Sequence, residues 1–168
     1  MTPRVVLVGP PGAGKTTVGR LLADRMGVGF RDTDHDVEQV AGIAIAEIFV
    51  ERGEAEFRAL ERAAVARALQ EHDGVLALGG GAVVDDATRG ALAEHRVVFL
   101  DVGLARAAER TGLNQSRPLL AVNPRATLAR MLAERRPLYE EVATLTVETD
   151  DLSPDDIVGR IHQAVMAS

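Results

Sequence analysis

Gly9-Pro10-Pro11-Gly12-Ala13-Gly14-Lys15-Thr16 is the stretch that decides the fold. It fits the pattern G-x-x-x-x-G-K-[ST], in which glycines let successive backbone N–H groups curl around a phosphate at a helix N-terminus. The residues on either side supply the context the pattern needs. Arg4-Val5-Val6-Leu7-Val8 reads as a buried strand, and Thr17-Val18-Gly19-Arg20-Leu21-Leu22-Ala23 reads as an amphipathic helix. Lys15 is also the only lysine beside eighteen arginines. A compact ammonium reaches the β- and γ-phosphates of a nucleotide where a planar guanidinium is too wide. Gly12, Ala13, Gly14, Lys15, Thr16 and Thr17 are therefore the expected triphosphate site, with the Thr16 hydroxyl placed for a phosphate-bound Mg²⁺.

Outward from this loop, apolar strand-like runs recur at 5–8, around Phe30, at 75–78, 97–100 and 145–147. Helical patterns separate them at 16–26, 34–40, 45–51, 54–70, 86–93, 104–110, 124–135 and 154–166. That alternation predicts an α/β fold with a mostly parallel sheet. Ser153-Pro154-Asp155-Asp156 is a well-formed helix start. The segment 112–124 lacks periodicity, carries Arg117, and is expected to be a lid.

The 168 residues suit a single domain, 1–168, with one active site. A formal charge of −6 argues against nucleic acid or an anionic membrane as partner. The chain has no cysteine, no apolar run of spanning length, and a first strand too near Met1 to leave room for a signal peptide. A cytoplasmic location and a monomer are the expectation. The four histidines, His35, His72, His95 and His162, are scattered and suggest no metal cluster.

Asp32-Thr33-Asp34 follows the second strand. Read alone it is a turn with a helix cap, formed by Thr33 or Asp34. Beside a phosphate loop, Asp32 can hold Mg²⁺ through water while Asp34 accepts a proton from an attacking hydroxyl. Gly79-Gly80-Gly81 ends the third strand and permits a close backbone approach to an acceptor. On the helix from Glu54 to Glu61, Arg58 has Glu54 four residues before it and Glu61 three after, the spacing of an ordinary ion-pair ladder.

Together these motifs resemble the shikimate kinase family. The resemblance rests on G-P-P-G-A-G-K-T-T-V-G-R from Gly9, D-T-D from Asp32, I-F-x-x-x-G-E-x-x-F-R-x-x-E from Ile48 and L-G-G-G from Leu78. R-P-L-L from Arg117 and R-x-P-L-Y from Arg135 complete it, so that nearly the whole chain is covered. It implies a three-layer P-loop fold with a five-stranded parallel sheet, ATP as phosphoryl donor with Mg²⁺, and transfer to the 3-hydroxyl of shikimate in chorismate biosynthesis. By position, Asp34 would activate that hydroxyl, Arg58 and Arg135 would clamp the carboxylate, and Phe49 and Phe57 would wall the pocket with Gly79, Gly80 and Gly81. Glu61 would hold the Arg58 fork. Arg117 would reach the phosphates, and Arg110 and Pro154 would sandwich adenine. Arg136, adjacent to the clamp position, is expected at the surface, and the acidic Thr149-Asp150-Asp151-Leu152 loop departs from relatives with a basic residue near the nucleotide.

A gluconate-type or other small-molecule kinase shares the loop and the acceptor geometry and is the nearest competing reading. A GTP-dependent switch would need a second lysine in its N-K-x-D motif, which this chain does not have. A nucleotide-binding regulatory subunit is the remaining reading outside the enzymes.

Overall fold

The computed structural model describes residues 2–111 and 124–167. Five strands, β1 (Val5–Val8), β2 (Phe30–Asp32), β3 (Val75–Ala77), β4 (Val97–Asp101) and β5 (Leu145–Glu148), form one sheet in the order β2-β3-β1-β4-β5. Every pairing is parallel.

A parallel sheet needs both faces covered, and β1 shows how this sequence does it. Its four residues are fully apolar and buried. Val5 and Leu7 join one core with Val18, Leu22 and Ala23 of α1 (Lys15–Met26) and Ile157, Val158 and Ile161 of α7 (Pro154–Ala167). Val6 and Val8 point the other way, into a core with Val65, Ala68 and Leu69 of α3 (Ile45–Glu71) and Tyr139 and Val142 of α6 (Pro124–Val142). Each such aliphatic side chain contributes about 1.5–3 kcal/mol by leaving water. The result is the three-layer helix–sheet–helix arrangement expected from the sequence. Because β1 lies between β3 and β4, its carboxyl end opens into the crevice where chain direction switches, and the loop Gly9–Gly14 occupies it.

A third cluster, Val37, Ile48, Phe57 and Ala64, joins α2 (Thr33–Ala41) to α3 beyond the β2 edge. The two helical patterns read on either side of Gly53 are the two arms of α3, and Gly53 itself is non-helical with φ 84° and ψ 167°. That left-handed φ favours glycine and sets the angle between the arm carrying Phe49 and the arm carrying Arg58. Among the described residues there are also a 3-10 turn at Ala82–Val84 and two short helices, α4 (Asp86–Leu92) and α5 (Leu104–Thr111).

One helix departs from expectation. The pattern ended at 135, but α6 continues through Pro137 to Val142. Pro137 and Ala133 both lie on the exposed side, where water can satisfy the carbonyl that the proline cannot serve. Beyond it, buried Tyr139 and Val142 repeat the stripe begun by Leu128, so core packing outweighs the local break. The helix starts at Pro124, as its pattern does; the expected lid before it, Arg117 included, lies outside the described residues.

Candidate active site

The phosphate loop is built from backbone conformation first. Gly12 and Gly14 have φ of 83° and 91°, and α1 starts directly from Gly14 with no capping side chain and no acidic residue in its first turn. By contrast α2, α4 and α7 each begin with one or two aspartates. The positive end of α1 is thus kept for an external anion. Lys15 folds over the loop, its Nζ donating to the carbonyls of Gly9 at 2.6 Å and Pro10 at 3.0 Å. Arg110 braces the loop from α5 by donating to Gly12 O at 3.1 Å.

A cleft of about 400 Å³ connects Gly12, Gly14, Lys15, Thr16 and Thr17 to Asp32, Asp34 and Gly80. Within it Thr16 Oγ1 donates to Asp32 Oδ2 at 3.3 Å, and Asp32 Oδ1 accepts from the backbone N–H of Asp34 at 2.9 Å. The cap of α2 is therefore Asp32 itself, one residue before Thr33 and two before Asp34, the candidates read from the turn. Burial pushes the Asp32 carboxyl above its ordinary range, and the neighbouring Asp34 carboxylate pushes it the same way. The Asp34 N–H, Lys15 and Thr16 offset only part of this. A divalent cation would relieve both causes, so Thr16 and Asp32 fit the Mg²⁺ role expected of them. Among the described residues no group of three or more His, Asp or Glu is placed to hold a metal, so such a cation would take its other ligands from phosphate and water.

At the turn 79–81, three glycines make room for the side chains of Asp34, Glu61, Pro11 and Arg58. A Cβ on Gly79 would overlap Asp34 Oδ1 and come within 2.9 Å of Glu61 Oε2. One on Gly80 would lie 2.8 Å from the Pro11 ring, and one on Gly81 would overlap the Arg58 guanidinium. Arg58 Nη1 donates to Glu61 Oε1 at 2.8 Å, and Nη2 stands 3.6 Å from Glu54 Oε1. Glu61 is 3% exposed, so this is not the solvated ladder that spacing alone suggests but a guanidinium held in place by a buried carboxylate. The Phe49 and Phe57 rings meet at 4.8 Å, with Arg58 5.2 Å from the Phe57 centroid. Phe57 is completely buried, so the accessible face of the pair belongs to Phe49.

Comparison with known proteins matches this arrangement over nearly its full length. The family model for shikimate kinase matches residues 11–166. The chain belongs to the shikimate kinase family. A shikimate kinase of Saccharopolyspora erythraea is 63% identical over 168 residues, covering 99% of this chain and 96% of that protein. One from Salinispora arenicola is 60% identical over 167 residues, covering 99% and 100%. Among solved structures, a shikimate kinase from Acinetobacter baumannii in complex with shikimate superposes with a TM-score of 0.94 at 39% identity, covering 99% of this chain and 94% of that one. Membership in the shikimate kinase family makes this chain an ATP-dependent kinase on the fold expected of it.

The residues singled out by the family resemblance fall into two groups. Arg110 and Pro154 line one cavity of about 230 Å³ with Ala13, Gly14, Thr17 and Leu152, beside the phosphate loop. Pro154 is presented there by a reciprocal cap, Asp156 N donating to Ser153 Oγ at 3.1 Å and Ser153 N to Asp156 Oδ2 at 3.4 Å. Arg135 and Arg136 separate on α6. Arg136 is exposed and bound to Asp101 at 2.8 and 2.6 Å and to Glu140 at 2.8 Å. Arg135 is partly buried and sits one turn before Tyr139, on the stripe that faces the triple glycine.

Sequence reasoning missed Thr33. It is fully buried, and its Oγ1 accepts from the Gly79 N–H at 3.3 Å, tying the Asp32–Asp34 corner to the glycine turn. Its place between Asp32 and Asp34 was the available signal.

Proposed function

We propose that this chain transfers the γ-phosphoryl group of ATP to the 3-hydroxyl of shikimate, giving shikimate 3-phosphate and ADP. The observation that carries this reading is the single cleft in which the phosphate loop and Asp34 meet, with the glycine turn that accommodates Asp34 also making room for Arg58. Lys15 and the α1 N-terminus hold the β- and γ-phosphates. Adenine lies between Arg110 and Pro154. Shikimate rests against Phe49, backed by Phe57, with its carboxylate between Arg58 and Arg135 and its hydroxyl toward Asp34 and the turn Gly79, Gly80 and Gly81. Glu61 keeps the Arg58 fork in plane for bidentate contact.

Asp34 takes the proton of the attacking hydroxyl as its oxygen bonds to the γ-phosphorus and the bond to the bridging oxygen of ADP breaks. Lys15 stays with the phosphates throughout and offsets the charge that gathers on the leaving oxygen. Thr16, and Asp32 through water, would hold Mg²⁺, which when bound neutralises phosphate charge. The enzyme is read as a cytoplasmic monomer: donor, acceptor and metal residues all come from one chain, which has no cysteine to oxidise.

The test is ADP release over a panel of shikimate, quinate, gluconate and nucleoside monophosphates. Turnover is expected with shikimate and to fall by about two orders of magnitude or more in Asp34→Asn, with MgATP affinity kept. A higher kcat/KM for gluconate would replace the acceptor assignment. Loss of nucleotide binding in Asp34→Asn would move that residue to the metal.

A further inference from the structure

Tyr139 is the only tyrosine of the chain and is 1% exposed. Its ring stacks on Phe99 of β4 with centroids 5.0 Å apart, and its hydroxyl donates to the Gly80 carbonyl at 2.5 Å. Phenylalanine would fill the same space in this core without a polar atom to satisfy, so packing does not account for the hydroxyl. Its partner does. Gly80 is the middle residue of the turn whose missing side chains admit Asp34, Glu61 and Arg58.

In a planar trans peptide the carbonyl of one residue and the N–H of the next point in opposite directions. Anchoring Gly80 O on Tyr139 therefore also fixes the Gly81 N–H, on the residue that lies against the Arg58 guanidinium. Glycine backbones have the widest range of conformations to lose, so three in a row need outside anchors to hold one shape. The flanks have theirs. Thr33 receives the Gly79 N–H, and Arg89 donates to the carbonyls of Val83 and Val84 at 2.8 and 3.0 Å and to Glu141 of α6 at 3.1 Å. Tyr139 anchors the centre, and it does so from the helix that carries Arg135 one turn earlier.

We propose that Tyr139 is a positioning residue for the acceptor: its hydroxyl fixes the Gly80–Gly81 peptide and keeps the Arg58 side of the pocket in register with Arg135. The inference rests on the reading of this turn and these arginines as the shikimate-binding side.

Tyr139→Phe removes the hydroxyl and keeps the ring. Wild-type protein is assayed first with shikimate and MgATP. In Tyr139→Phe the shikimate KM should rise about tenfold, the scale of one lost buried hydrogen bond, with the ATP KM within about twofold. Val142→Ala, in the same core and on the same helix, provides the comparison. It should lower Tm at least as far while leaving both KM values near wild type. Saturating shikimate should raise Tm less in Tyr139→Phe than in Val142→Ala, since ligand-linked stabilisation follows affinity. An unchanged shikimate KM in Tyr139→Phe, a parallel rise in the ATP KM, or the same split in Val142→Ala would overturn the proposal while the wild-type reaction stands. A wild type inactive on shikimate would instead remove the reading beneath it.

Discussion

The phosphate loop and the triple-glycine turn line one cleft, where Gly80 stands against Pro11, and both depend on glycine, for different physical reasons. Gly12 and Gly14 have left-handed φ values, a backbone path that side chains strain. Gly79, Gly80 and Gly81 are not among the glycines with positive φ, and Gly81 sits at φ −101°. Any residue could follow that path. What excludes a side chain there is the company of Asp34, Pro11 and Arg58. The phosphate loop thus needs glycine for its own shape, at Gly12 also because the Ala107 backbone would lie 3.0 Å from a Cβ, and the triple-glycine turn needs it for what stands beside it alone. Changes on the donor side should act through phosphate geometry, and changes on the acceptor side through shikimate alone.

The largest effect is expected at Lys15. The ammonium sits within 2.6 and 3.0 Å of two loop carbonyls, an enclosure that a planar guanidinium enters only by opening the loop. Lys15→Arg should lower kcat by about a thousandfold or more with Tm little changed, because phosphoryl transfer depends on placing charge at the migrating group. Near-normal turnover would show that the loop tolerates displacement and that the contrast with the acceptor turn is false.

Next come Gly79→Ala and Gly81→Ala. Both variants should fold, since the backbone path is open to alanine. Gly81→Ala should raise the shikimate KM by roughly two orders of magnitude by displacing Arg58, and Gly79→Ala should lower kcat by displacing Asp34. Nucleotide affinity, read by calorimetry, should hold in both. If the ATP affinity fell with the shikimate affinity, the two loops would be one mechanical unit.

Arg135 and Arg136 sharpen the acceptor side further. Removing one partner of a desolvated carboxylate costs roughly 2–5 kcal/mol, so Arg58→Ala and Arg135→Ala should each raise the shikimate KM far more than the ATP KM. Arg136→Ala breaks exposed pairs with Asp101 and Glu140 and should leave both KM values within about threefold. Steady-state kinetics in which Arg136 is the severe variant would reverse the assignment made from the R-x-P-L-Y motif.

The same contrast explains what the sequence made legible. A phosphate loop is a local backbone shape with a local pattern, so Gly9 to Thr16, its strand and its helix could be placed from neighbours alone. The break at Gly53 was visible for the same reason, since its helical patterns stop on either side of it. The need for glycine at 79, 80 and 81 depends on Asp34, Pro11 and Arg58, far away in the chain, and no local pattern carries it. Family resemblance assigned those glycines to the pocket, and only the packing gave the reason. Pro137 misled in the opposite sense. The local rule ends a helix near proline, while Tyr139 stacks on Phe99 of β4 and Val142 joins the same core. Tertiary contact also decided between a ladder and a held fork at Arg58, because the spacing of Glu61 does not reveal its burial.

The smallest expected effect is a gain. Asp32, the residue proposed for Mg²⁺, is pushed above its ordinary pKa by burial and by Asp34, so the folded state binds a proton more readily than the unfolded chain. The stability linked to this proton is complete at low pH and is lost as pH rises from the unfolded value of 3.8 through the higher folded one. At neutral pH the ionised carboxylate is therefore a net cost. Asparagine caps a helix as well as aspartate, so Asp32→Asn keeps the bond to the Asp34 N–H and removes the repulsion. The variant should gain on the order of 1 kcal/mol at pH 7 and need more Mg²⁺ for half-maximal activity, a stability-for-function exchange common at active sites. The gain should shrink as pH falls toward the unfolded value of 3.8, below which the wild-type stability linked to this proton is complete. A variant less stable than wild type at neutral pH would mean that the charge of Asp32 at the positive end of α2, worth about 0.3–1 kcal/mol, outweighs its burial beside Asp34.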